Sequence, residues 1–87
     1  MEITREQLEI ASRIDARVQR LARAGRDDLG IFAEMADLMP DFKRLMDGSG
    51  PGALDELGRR FAGFHRYAKI LEAVASAIQA GAVKVPR

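Results

Sequence analysis

Apolar residues recur along this chain at helical spacing, and two glycine-containing breaks, residues 24–27 and 47–52, cut the pattern into three stretches. In the first, Ile3, Leu8, Ile10, Ala11, Ile14, Val18, Leu21 and Ala22 fall on one side at 100° per residue. Glu9, Arg13, Arg20 and Arg23 lie opposite. Thr4 and Gln7 have the spacing of a capping box, Ile3 can staple onto Leu8, and Gly25 suits a left-handed C-cap. A first helix over about residues 4–24 follows.

The second stretch opens on Asp27-Asp28, carboxylates that suit an N-cap and the positive end of the helix dipole. Its seam is Phe32, Met35, Met39, Phe42 and Met46, flanked by Ile31, Leu38 and Leu45. Pro40 interrupts hydrogen bonding to the Ala36 carbonyl, yet the seam keeps its phase through it. The pattern therefore predicts one helix over about 28–47, kinked at Pro40 but not ended there. In the third stretch Leu54, Leu57, Phe61, Phe64, Ala68, Leu71, Ala75 and Ile78 hold a 3-4 spacing through four heptads. Pro51 suits its first turn and Gly81 its C-terminal cap, giving a helix over about 53–80. Residues 82–87 read as an extended tail.

The fold class is thus all-α, within one domain: a helical hairpin of the second and third helices, with the amphipathic first helix laid on it. At 1.5 Å per residue the third helix would be ~42 Å long against ~30 Å for the others. The far end of the third helix, outrunning its neighbours, predicts a homodimer that completes a larger helical bundle. Phe64, Tyr67, Leu71, Val74, Ala75 and Ile78 are the expected interface with a second copy or with another protein. Alanines at 68, 73, 75, 77 and 80 would let another helix approach closely.

Composition narrows the function. Eighty-seven residues are too few for two domains, and with no cysteine neither a disulfide nor a thiolate zinc site can brace a small core. Self-association is the brace left. The longest uncharged stretch, residues 73–83, is 11 long, short of the ~20 a membrane helix needs, so no membrane partner is expected. Met1–Glu9 is charged where a secretory leader would be apolar, which places the expected location in the cytoplasm. Net charge is +1 but uneven: residues 1–26 carry +2, residues 27–47 carry −4 and residues 48–87 carry +3.

That distribution bears on nucleic acid. A helix-turn-helix reading would make the second helix the recognition helix and turn Glu34, Asp37 and Asp41 toward phosphates, so it is rejected. Arg13, Arg17, Arg20 and Arg23, at steps of 4, 3 and 3, form a patch able to face phosphates, and a nucleic-acid-binding accessory protein is the alternative function. A solubilising face with local acidic partners accounts for the same arginines. The acidic row Glu34, Asp37 and Asp41 likewise reads as a solvated face, one able to meet the arginine face of a neighbour.

Catalysis has few candidates. The glycine loop at residues 48–52 precedes a helix as phosphate-binding loops do, but it follows a helix, lacks Lys-Ser/Thr and is flanked by Asp47, Asp55 and Glu56. It reads as an interhelix linker. His65, the only histidine, has Glu72 two turns away but Lys69 between them and no second histidine, so it reads as a boundary residue. No catalytic residue, metal ligand or cofactor site is assigned. The Met35, Met39 and Met46 stripe, with Phe32 and Phe42, suits core packing as well as an adaptable groove. The sequence thus predicts a small non-catalytic interaction or regulatory protein acting as a homodimeric helical bundle.

Overall fold

Helix α1 (Arg5–Arg23) starts where the capping box predicts: Thr4 Oγ1 accepts from the Gln7 amide at 3.1 Å, and Gln7 Oε1 accepts from the Thr4 amide at 2.8 Å. Gly25, at φ +87°, turns the chain out of it. The structure, a computed structural model, describes residues 3–81; its regular elements are all helices, with no strand among the described residues. The expected tail 82–87 lies outside the described residues.

The second predicted helix is three pieces: α2 (Asp28–Glu34), one 3₁₀ turn (Ala36–Leu38) and α3 (Met39–Gly48). Asp27 caps α2 through the Gly30 amide at 2.9 Å. The expected kinked continuous helix is not formed, and the reason is Pro40. In a straight helix its ring would meet the Ala36 carbonyl; with the break upstream at Met35, Pro40 falls in the first turn of α3, where no amide is required of it. The buried seam keeps Met35 and Phe42 but takes Ile31, Leu38 and Leu45, each one position earlier, in place of Phe32, Met39 and Met46. Met39 and Met46 stand 39% and 43% exposed.

The third predicted helix also divides, into α4 (Pro51–Arg60) and α5 (Ala62–Gln79). Pro51 is at the start of α4 and Gly81 (φ +76°) follows the end of α5, as expected. Phe61 between them is extended, at φ −127° and ψ 98°. What holds the break is Asp15 of α1: its Oδ1 accepts from the Gly63 amide in the first turn of α5 at 2.7 Å. A Cβ on Gly63 would lie 2.7 Å from the Asp15 backbone oxygen, so only glycine lets α5 meet α1 this closely. Gly58 and Gly63, flanking the break, weaken a continuous helix here as well.

Division of the long helix removes the predicted overhang. With 18 residues, α5 is ~27 Å long and α1 with 19 is ~28 Å. The expected hairpin of second and third helices gives way to packing around α1 and α5: α5 lies chiefly on α1, α3 also packs on α1, and α2 and α4 pack on α5. The core runs from Ile10, Ala11, Ile14, Val18 and Leu21 through Ile31, Met35 and Leu57 to Phe64, Tyr67 and Ile70. Phe42 meets Tyr67 edge-on at 5.2 Å between ring centroids and Phe64 at 5.8 Å.

Candidate interaction surface

Helix α5 sorts the six expected interface residues by the angle at which each leaves the helix. Phe64 and Tyr67 pack their rings on Phe42 of α3 and are 2% and 0% exposed, so they belong to the chain's own core and are not available to a partner. Leu71 and Val74 are half-buried, while Ala75 and Ile78 are exposed, Ile78 to 41%. The core-facing stripe of α5 is therefore Phe64, Tyr67, Ile70 and Val74, at steps of 3, 3 and 4. The heptad stripe Ala68, Leu71, Ala75 and Ile78 runs along its margin. From Ala73 to Gln79 the helix carries no charge, and Ala73, Ala75, Ser76, Ile78 and Gln79 are all exposed.

Beside this stripe, between α2 and α5, is an apolar groove of about 400 Å³ floored by Phe32, Ile70, Ala73, Val74 and Ala77. Leu29, 68% exposed, stands on one wall; sequence periodicity gave it no role, since it precedes the seam residues of its stretch. Asp28 and Arg66 close one end, with Arg66 Nη2 3.0 Å and Nε 3.2 Å from Asp28 Oδ1. Lys69, on the rim, reaches Glu72 at 3.5 Å. The charges at the rim are thus satisfied in pairs and the floor is apolar, an arrangement suited to an apolar side chain from another helix.

The arginine row meets the acidic row within one chain. Arg17 grips Asp37 with both Nη atoms at 3.1 Å and donates to the Glu34 carbonyl at 3.4 Å; Arg13 reaches Asp41 at 3.1 Å; Arg26 lies 3.7 Å from Glu34. The Arg17 hydrogen bonds hold the Asp37 carboxyl below the usual carboxylate range. Arg23 donates to the Gln19 carbonyl at 3.3 Å. Two of the four arginines offered to phosphate are therefore already spent on α3 and the 3₁₀ turn.

A second cleft of about 610 Å³ lies between α4 and α5, floored by Met46, Leu54, Phe64 and Ala68 and rimmed by Asp55, Arg59, His65, Lys69 and Glu72. Gly58 leaves room for the His65 ring, whose Nδ1 lies 3.4 Å from where a Cβ would be. Arg59 and Arg60 both reach Glu56 at 2.9 Å, and Arg60 chiefly holds that carboxyl below its ordinary range. No three His, Cys, Asp or Glu side chains converge as a metal site would among the described residues. Ser49 of the glycine loop receives a hydrogen bond from Gln7 Nε2 at 2.7 Å, which ties the loop to the start of α1. Among the described residues no helix is long and apolar enough to cross a membrane.

Asp15 is the structural contact that periodicity missed. Its spacing marks it only as a polar position on α1, and nothing local signals that it caps a helix 48 residues later. Comparison with protein-family models, with curated proteins and with solved structures finds no match to this chain.

Proposed function

We propose that the protein is a small, non-catalytic interaction protein whose copies pair through the charge-free half of α5, with the neighbouring α2–α5 groove as the contact for apolar side chains. The observation that carries this reading is the uncharged helical stretch Ala73 to Gln79, exposed at 73, 75, 76, 78 and 79, where a surface helix of this size ordinarily carries charge on its outer face. Small side chains at 73, 75 and 77 admit a second helix at close range, and Leu71, Val74 and Ile78 supply the apolar area. Two-fold pairing would set this face against its own copy, and a second copy is the partner that is always present.

Sedimentation of the wild type against Leu71→Glu/Ile78→Glu tests this. The wild type is expected to sediment as a dimer and the double variant as a monomer, because unpaired charge is not tolerated in a buried seam. Since Leu71 also touches the core, Ala75→Glu/Ile78→Glu, at two exposed positions, serves as the companion that leaves the fold intact. A wild type that stays monomeric, or a dimer indifferent to both variants, overturns the reading.

A further inference from the structure

We propose that Phe61 is a hinge, and that two copies associate by exchanging α5. In the exchanged dimer α4 and α5 straighten into one helix over residues 51–79, and each α5 docks on α1, α2 and α4 of the other copy, so that position 65 of one copy comes beside position 58 of the other. This deepens the pairing proposed above and rests on it.

Three observations point here. First, a single residue joins α4 to α5, so moving Phe61 from φ −127°, ψ 98° into the helical region makes one continuous helix with no slack to absorb. Second, the apolar 3-4 phase passes through the break. Leu54, Phe61, Ala68 and Leu71 are only half-buried in the closed chain and Ile78 is exposed, so the fold leaves uncovered a stripe that becomes continuous only when the hinge straightens. Third, the break is held from outside. Phe61 supplies no side-chain cap, and the amide of Gly63 is satisfied by Asp15 of α1; in a straight helix the carbonyls of α4 would take that role. Exchange restores the Phe64, Tyr67 and Ile70 contacts between copies, so the two forms differ mainly in the hinge, the Asp15 contact and the newly paired stripe.

The chain has no cysteine, so an engineered pair reports without interference. A Cβ at position 58 lies 3.7 Å from the His65 Cβ, inside the disulfide range of about 3.5–4.5 Å. Positions 58 and 65 of one straightened helix would be about 10 Å apart along the axis. Gly58→Cys/His65→Cys is concentrated under reducing conditions until sedimentation reports dimer, oxidised, and run on a non-reducing gel, with circular dichroism confirming the helical fold. Exchange predicts covalent dimers in proportion to the sedimenting dimer, and chains oxidised while dilute stay monomeric afterwards. Dimers that carry only intrachain disulfides overturn the exchange and leave side-by-side pairing standing; monomers throughout overturn both. Asp15→Ala, which removes a contact made only in the closed chain, is expected to raise the association constant about tenfold per chain; an unchanged or lower constant counts against the hinge.

Discussion

Removing one oxygen atom tests the packing of the core. Tyr67 is 0% exposed, and its hydroxyl has no hydrogen-bond partner among the described residues. A buried hydroxyl left unpaired costs about 1–3 kcal/mol of desolvation. Tyr67→Phe keeps the ring, its edge-on contact with Phe42 and its place in the core, and deletes only the orphaned group. The small void left offsets part of the gain, so the variant is expected to be more stable by about 1 kcal/mol, or about 4–8 °C in a domain of this size. Urea unfolding should show the midpoint rising with the slope unchanged.

The same residue gives an internal control in pH. Burial, with a smaller contribution from the charge of Asp37, raises the Tyr67 pKa above the ordinary 10.0. The folded state then holds the proton more tightly than the unfolded state. Its contribution to stability is fully present below pH 10.0 and is lost as pH rises through the higher folded value. Tyr67→Phe removes that alkaline component. Because Tyr67 is the only tyrosine and there is no tryptophan, tyrosinate absorbance in the near ultraviolet follows this one group. A Tyr67→Phe variant destabilised by more than about 1 kcal/mol would refute the reasoning, since it would mean the hydroxyl has a partner such as an enclosed water.

Other perturbations follow from the contacts around α1. Gly63→Ala would set a methyl 2.7 Å from the Asp15 carbonyl oxygen and force α5 off α1; a loss of about 2 kcal/mol or more is expected in urea unfolding, and a neutral result would show that the close approach is not tight. Arg17→Ala should return the Asp37 carboxyl toward 3.8 in an NMR titration, because the Arg17 hydrogen bonds are the largest cause of its depression. The sign follows: in the wild type this ion pair contributes above pH 3.8 and its contribution is lost as pH falls through the lower folded value. Thr4→Ala, which opens the capping box, should cost about 1 kcal/mol, measured the same way as Gly63→Ala.

What the sequence made legible was local. The capping box of Thr4 and Gln7, the left-handed Gly25 and Gly81 and the start at Pro51 each rest on chemistry within four residues, and each is found in the structure. The errors came from contacts across the chain. Four heptads of 3-4 spacing from Leu54 to Ile78 read as one helix because periodicity cannot register Asp15 reaching the Gly63 amide. The seam through Pro40 misled in the same way: burial of Ile31, Leu38 and Leu45 in place of Phe32, Met39 and Met46 depends on which side α1 and α5 occupy. The candidate surface was half legible. Ile78 and Ala75 are exposed and Leu71 and Val74 half-buried, whereas Phe64 and Tyr67 were absorbed by the core once the overhang of the long helix had gone. Leu29 and the groove beside it needed α2 and α5 to be placed together before they could be seen at all.

The most direct test of the account is a dilution series followed by backbone-amide NMR, which reads both association and its location. If copies pair through α5 with a Kd of about 10 μM, equivalent to about −7 kcal/mol, signals should change with concentration at residues 71–79 and Leu29, and, where α5 is exchanged, at the straightened hinge around Phe61 as well. The exposed arginine face of α1 should stay still. Signals unchanged up to about 100 times that Kd, or shifts gathered on Arg13, Arg20 and Arg23 instead, would contradict the central claim.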